Sequence, residues 1–385
     1  MKRFNNIYEK IYDIENLRLA HKNARKDKLF YREVKMVDSD PDYYLGEIQR
    51  ILKNEEYEVS EYMRSTINDK GKQRELAKLP YFPDRIIQWA IMLQIEHIFL
   101  KNFCYHTCSS IPGRGIKHAW KLTKKYMEDR INTKYCLKMD VSKFYPSINH
   151  DILKSLLRKK FKDKKLLKLL DKIIDSYPDE KGVPIGSYLS QYLANFYLSY
   201  FDHWLKEVKG VKYVVRFADD IVIFGSNKSE LHALMDDIHN YMRCELDLKI
   251  KGNWQVFPSN KRGVDFVGYR FFYDFILLRK CTCKKFKRKM LKIKKKWEHG
   301  KLINYSEWCS ANSYTGWLIW CNSFRLYEKY IKPIIPALVA YYKFIISQKS
   351  NAVIKYKSKI QVKKGMVALW KMLESSKVLK HRQKI

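Results

Sequence analysis

The chain is poor in residues that interrupt folding. Its 385 residues include only 14 glycines and 10 prolines. No repeat and no low-complexity linker separates one part from another, so a string of flexibly tethered modules is excluded. Subdomains wrapped around one groove are expected instead. Long uncharged apolar runs are missing too. The most apolar segment, Pro333 to Ile346, is too short to span a bilayer and carries Lys343, and nothing resembles a signal peptide, so no membrane association is expected. The eight cysteines lack metal-ligand spacing. Cys104/Cys108 and Cys281/Cys283 do not fit a zinc knuckle, and no paired histidines follow. Reduced thiols in a cytoplasmic protein are the expectation. Acids are scarce: 41 Asp and Glu face 76 Lys and Arg, a formal charge of +35. Such an excess favours a polyanionic partner and steep salt dependence.

Two of the acids stand side by side. Asp219 and Asp220 fall between two apolar, β-prone runs, Val211 to Val215 and Ile221 to Gly225. That arrangement predicts a hairpin with both carboxylates at its tip. Adjacent carboxylates repel, and Mg²⁺ removes the repulsion because it takes hard oxygen ligands. A solvated acidic turn is the alternative for an isolated Asp-Asp pair, so a third carboxylate decides. Asp140 supplies it. Tyr135 to Met139 reads as a short apolar strand ending on Asp140, after which Pro146 is expected to break any regular element. A strand ending on Asp puts charge at a sheet rim, where burial would otherwise be costly. A helix N-cap is the other reading of Asp140. Three carboxylates from two strand ends can hold two metal ions about 4 Å apart, which stabilises attacking and leaving oxygens in phosphoryl transfer.

These residues carry a family resemblance. Lys138 to Ile148, Gly182 to Gln191, Phe217 to Asp220 and Gly263 to Tyr269 resemble, in order, three palm motifs and the primer-grip segment of bacterial reverse transcriptases. The likeness runs from about Ile7 to about Tyr330. It implies an α+β right-hand polymerase, with an antiparallel palm sheet packed on helices and a helical thumb. The corresponding divisions are an N-terminal helical region at 1–57, fingers at 58–134, palm at 135–270, thumb at 271–346 and a basic tail at 347–385.

The resemblance also implies roles. Asp140, Asp219 and Asp220, with the Val141 backbone carbonyl, would hold two Mg²⁺, and Mn²⁺ could replace them. Ser142, Lys143, Phe144 and Tyr145 would line the nucleotide site, with Tyr145 as the aromatic gate against a ribose 2′-hydroxyl and Phe144 as the competing candidate. Ile185 and Gly186 match a loop along the incoming nucleotide, where glycine permits close backbone approach. Ile185 replaces the more frequent Gln, and Ser190-Gln191 replaces Ser-Pro, a form similar to diversity-generating-retroelement and antiphage-defence enzymes. Lys72 and Arg74 are candidates for clamping the triphosphate, while Arg85 nearby is expected in a structural ion pair with the palm. Leu246 to Lys251 resembles the fourth palm motif, in which a lysine, Lys249 or Lys251, could protonate pyrophosphate, and Lys251 would join the nucleotide-binding residues. Arg114, Gln191, Phe217, Phe266, Gly268 and Tyr269 would face primer or template.

Eleven basic residues and no acid lie between Arg279 and Lys296, interleaved with Phe286, Met290, Leu291, Ile293 and Trp297. That spacing predicts a helix with an apolar seam and a basic face, on which Lys285 and Lys289 would bind the nucleic-acid backbone. Ser190 to Val208 reads as one helix with Leu193, Phe196, Tyr197, Tyr200 and Trp204 buried. No protease, RNase H or endonuclease segment is evident. The expectation is therefore an RNA-directed DNA polymerase using dNTPs and an RNA template or dedicated non-coding RNA, making DNA, in antiphage defence. A second copy of the chain or an accessory protein could assist. A diversity-generating retroelement enzyme is the nearest alternative, and a non-catalytic RNA-binding protein on the same scaffold is the alternative of another class.

Overall fold

A computed structural model describes residues 3–69, 72–177 and 181–347. The N-terminal region is helical: α1 (Tyr8–Ile11), α2 (Ile14–Ala24), α3 (Arg32–Ser39) and α4 (Pro41–Lys53). Two of these helices, α2 and α4, start on acids. The Asp13 carboxylate accepts from the Glu15 and Asn16 amides, and Asp40 caps α4 ahead of Pro41, satisfying amides with no partner inside the helix. A hairpin follows, β1 (Met63–Asp69) against β2 (Lys72–Lys78). Next come α5 (Ile86–Asn102) and α6 (Ile116–Met127). Ten residues of α5 are buried on several sides, so it serves as a central core helix rather than an amphipathic surface one.

The second sheet holds β3 (Tyr135–Asp140). After it come α7 (Phe144–Ser147), α8 (His150–Lys160), α9 (Lys164–Asp175), α10 (Tyr188–Tyr197) and α11 (Ser199–His203). Then follow β4 (Tyr213–Phe217), β5 (Asp220–Gly225), α12 (Lys228–Leu246) and β6 (Gln255–Pro258), and the strand order is β4-β5-β3-β6. Pro146 does not end regular structure; it sits within the one-turn α7, where no amide is required of it. The expected helix from Ser190 to Val208 is divided at Leu198, which makes no continuing helical turn. The break shifts the inward face. Phe201 and Leu205 are buried, and Tyr200 and Trp204 only half-buried.

The remainder begins with α13 (Ser259–Arg262) and the three-stranded sheet β7 (Val264–Phe266), β8 (Tyr269–Phe271), β9 (Ile276–Leu278). It continues with α14 (Lys280–Glu298), α15 (Tyr305–Leu318), α16 (Phe324–Leu326) and α17 (Ile335–Ser347). The chain divides into two compact units. One comprises Met1–Leu122 and Ile131–Phe257; the other comprises Thr123–Arg130 and Pro258–Ile385. The sheet carrying Phe266, Gly268 and Tyr269 thus belongs with α14 and α15, not with β3 and β5. Elements are helices and antiparallel sheets, the α+β class expected. None of the eight cysteines forms a disulfide. No helix among the described residues is long and apolar enough to cross a membrane. The basic tail beyond Ser347 lies outside the described residues.

Candidate active site

Antiparallel pairing brings the three acids together. β3 runs against β5 in a register that sets Asp140 opposite Asp220. β4 and β5 form the expected hairpin, with Ala218 and Asp219 at its tip. Ala218 has φ 56°, a left-handed conformation that turns the chain sharply. The Val141 amide donates to the Asp219 carbonyl at 3.2 Å, tying the hairpin tip to the end of β3. The Asp140 and Asp219 carboxyls lie within hydrogen-bonding reach. Burial first, and then the charge of Asp140, raise the Asp219 carboxyl above its ordinary range.

Two ammonium groups sit among these acids. Lys251 ion-pairs with Asp140, and Lys138 lies 3.5 Å from Asp220. Lys251 is brought there by a bridge between Val141 and Ile250. Its two hydrogen bonds run from the Lys251 amide to the Asp140 carbonyl (2.9 Å) and from the Ser142 amide to the Lys249 carbonyl (2.7 Å). The Val141 carbonyl takes part in neither. Three carboxylates and one carbonyl are the hard oxygen set that Mg²⁺ selects, so the donor chemistry fits. Among the described residues, no three acid, histidine or cysteine side chains already form a cation cage. Lys251 and Lys138 supply the positive charge instead.

Behind the tip, Arg216 is fully buried and bidentate to the buried Asp202, at 2.8 Å (Nε) and 2.5 Å (Nη2). Its Nη1 donates to the Ala218 carbonyl at 3.1 Å and to Asn195 at 3.2 Å. Burial alone would raise the Asp202 carboxyl; Arg216 and then His106 bring it well below the usual carboxylate range. The pair therefore fixes the strained residue of the acid turn from the core side.

The other residues singled out from the sequence divide into groups. Phe144 is buried in the core, whereas Tyr145 is half-buried and close enough to Asp219 for that charge, after burial, to push its hydroxyl up to about 12. Of the two gate candidates, Tyr145 is the one beside the acids. Lys143 is exposed with φ 43°, and Ser142 is half-buried. Gly186 is exposed with φ +112°, a conformation that demands glycine, and nothing lies within 4 Å of where a Cβ would stand. Ile185, Gln191 and Phe217 are half-buried. Arg114 is engaged inside its own loop, donating to the Cys104 carbonyl at 2.6 Å and the Thr107 carbonyl at 2.8 Å. Lys72 and Arg74 lie on β2, but their side chains, and Gly71, fall outside the described residues.

In the second unit, Phe266 and Tyr269 point into the core, with 0% and 3% exposure. The Tyr269 hydroxyl donates to the Trp317 carbonyl at 3.1 Å. Gly268 is pressed against Trp317; a Cβ there would lie 2.3 Å from the indole. On α14, Phe286, Met290 and Ile293 form the buried seam, but Leu291 is 51% exposed and Trp297 half-buried. The true seam is narrower than the expected one, leaving more of the helix to its charged face. Lys285 and Lys289 are both exposed, and Lys289 lies 5.8 Å from the Tyr314 ring centre.

Sequence reasoning gave no role to Lys138, Arg216 or Asp202. Lys138 was legible: two residues before Asp140 on one strand, it shares that residue's face. A charged residue inside the apolar run before the acid turn hinted at Arg216, but its partner could not be named. Arg85 corrects the expectation. No described carboxylate pairs with it, and its Nε reaches only the Ala24 carbonyl, at 3.4 Å.

The family profile described as "Reverse transcriptase (RNA-dependent DNA polymerase)" matches residues 64–271, more than half of the chain. "Protein YkfC" of Escherichia coli is 24% identical over 242 residues, covering 52% of this chain and 63% of that protein. "Putative COX1/OXI3 intron 2 protein" of Saccharomyces cerevisiae is 24% identical over 254 residues, covering 48% and 29%. "Group II intron-encoded protein LtrA" of Lactococcus lactis is 27% identical over 146 residues, covering 36% and 24%. The chain thus spans less than two thirds of each relative. Among solved structures, apo telomerase from Candida tropicalis superposes with a TM-score of 0.48 and 13% identity, over 83% of this chain and 67% of that one.

Proposed function

This chain belongs to the reverse transcriptase (RNA-dependent DNA polymerase) family, and we propose that it is an RNA-directed DNA polymerase whose catalytic carboxylates are Asp140, Asp219 and Asp220. The observation that carries the proposal is the register of β3 against β5, which sets Asp140 opposite Asp220 with Asp219 adjoining. Two Mg²⁺ ions held by these acids and the Val141 carbonyl would supply activation of a primer 3′-hydroxyl and neutralisation of the departing pyrophosphate. The chain's own residues position the reactants, the main source of rate in phosphoryl transfer. Tyr145 closes the floor beside Asp219. Arg216 holds the turn. Lys251 balances the charge of Asp140 and, as an ammonium donor, would serve the leaving phosphate.

The partner we infer is a dedicated structured RNA. The Ser190-Gln191 form fits antiphage-defence and diversity-generating-retroelement enzymes equally, and the additional basic tail favours defence; the intron-encoded relatives support a second reading, action on an intron-type RNA. Sequencing nucleic acid that copurifies with the protein separates the two.

Primer extension on RNA and DNA templates tests the chemistry. Wild type should extend with Mg²⁺ or Mn²⁺. Asp219→Ala should abolish extension while retaining RNA affinity, because phosphate contacts elsewhere dominate affinity. A wild type inert with its cognate RNA present would leave only an RNA-binding protein.

A further inference from the structure

Tyr145 lies on α7, a single turn of four residues, and so short a helix does not hold its shape unaided. Its support comes from the start of the loop that carries Ile185 and Gly186. The Val183 amide donates to the Tyr145 carbonyl at 3.0 Å, and the Gly182 amide donates to the Ile148 carbonyl at 2.7 Å. An isolated antiparallel bridge pairs Asn149 with Lys181. Gly182 has φ +108°, and a Cβ there would lie 3.3 Å from the Pro146 Cα and 3.0 Å from the Tyr177 ring, so the two segments meet backbone to backbone. One side chain takes the Gly182 carbonyl: His150 Nε2 donates to it at 2.7 Å. A carbonyl only accepts, so Nε2 carries the hydrogen. His150 is buried. Its Nδ1 stands 3.6 Å from Asp175, beyond hydrogen-bond distance, and Asp175 is held by Lys154 at 2.5 Å. At the far end of the loop the Ser187 hydroxyl donates to Gln88 Oε1 at 2.7 Å. Ile185 and Gly186 are thus suspended between two anchors, His150 and Gln88.

We propose that His150 is a positioning residue for the incoming nucleotide: its hydrogen bond to the Gly182 carbonyl sets the distance between Tyr145 and the Ile185–Gly186 loop, and with it the preference for deoxyribose over ribose. The Gly182 carbonyl and the Val183 amide belong to one planar peptide group. His150 holds the oxygen of that group, and the Tyr145 carbonyl holds its N–H. In a trans peptide these two atoms point in opposite directions, so the plane is clamped between the imidazole and the backbone of Tyr145. Without the imidazole donor, the buried oxygen seeks another partner, the plane rotates, and the bond to Tyr145 is lost with it. Tyr145 adjoins Asp219, and misplacement of a reacting group by about 1 Å can cost on the order of 100-fold in rate. The role in nucleotide selection rests on the polymerase reading; the clamp on the peptide plane does not.

Wild type is compared with three variants. His150→Phe keeps a ring but has no donor; His150→Gln has a side-chain amide that still donates; Asp175→Asn changes only the other side of the imidazole. In primer extension, His150→Phe should raise the KM for dNTP about tenfold with kcat lowered less than about threefold, and should lower the dNTP-over-rNTP preference about fivefold. His150→Gln should return both to within about twofold of wild type, and Asp175→Asn should change neither. Amide hydrogen exchange reads the clamp without synthesis. Exchange at Val183 should quicken about tenfold in His150→Phe, while β3 and β5 keep their protection. A lowered melting temperature with unchanged KM and preference makes His150 a packing residue and overturns the proposal, as does a His150→Gln variant that restores neither. Should His150→Phe fail to fold, Gly182→Ala, which presses the same peptide group away from Pro146, should shift KM and preference in the same direction, and unchanged constants there overturn the proposal. A wild type inert in extension sinks the polymerase reading and the selection role with it; quickened Val183 exchange then keeps the clamp alone, and unchanged exchange removes that too.

Discussion

At the scale of single residues, the acid turn depends on a buried charge pair. Arg216 and Asp202 are both fully buried. Removing one partner of such a pair strands the other, at about 3–5 kcal/mol. Arg216→Met should therefore lower the melting temperature and impair extension together. The pair also sets an acid limit. The Asp202 carboxyl is held below its unfolded value, near 3.9. Its contribution is fully present above that value and is lost as pH falls toward the folded one. Asp202→Asn should be less stable than wild type at neutral pH, yet show a flatter melting temperature between about pH 5 and pH 2; parallel curves would refute the assignment. Tyr145 yields a third prediction. Since Tyr145 adjoins Asp219 and Phe144 is in the core, Tyr145→Ala should raise ribonucleotide incorporation by about tenfold or more, an estimate based on contacts worth a few kcal/mol. Unchanged discrimination in competition assays would move the gate elsewhere.

At the scale of elements, local patterns were readable wherever one period dominated. The β4–β5 hairpin and the strand ending at Asp140 follow from alternation and apolar runs. The division of α10 from α11 at Leu198 was not readable, because no glycine or proline marks it. Its outcome is tertiary: Asp202, on the far side of the break, reaches Arg216. The Gly263 to Tyr269 segment was expected to face a primer, yet Phe266 and Tyr269 pack inward. What limits that segment is Gly268, which has φ +90° and no room beside Trp317. Gly268→Ala should destabilise the second unit by about 2–4 kcal/mol through strain and overpacking. Trp317→Leu in the same chain should recover part of the loss; no recovery in a melting experiment would leave backbone strain as the sole cause.

At the scale of the whole molecule, the charge of +35 favours association with polyanions. The α14 face concentrates part of it on exposed lysines, Lys285 and Lys289 among them. RNA affinity should fall steeply with salt. The double substitution Lys285→Gln with Lys289→Gln should reduce the slope by about 1.4, from roughly 0.7 per phosphate on a single strand. An unaltered slope in a titration series would make this face solvated surface only.

The sequence by itself determined the chemistry on offer: which acids exist, which short strands carry them, the order of the motifs and the sign of the partner's charge. These are properties of composition and of periodicities a few residues long. Tertiary structure alone decided which groups meet. Lys251 joins Asp140 across 111 positions, and Arg216 finds Asp202 across 14. It also decided that Arg85 pairs with no described carboxylate. Such pairings depend on strand register and helix packing, where burying a charge beside its counter-ion, or leaving it without one, is settled by distant chain segments arriving at the same place.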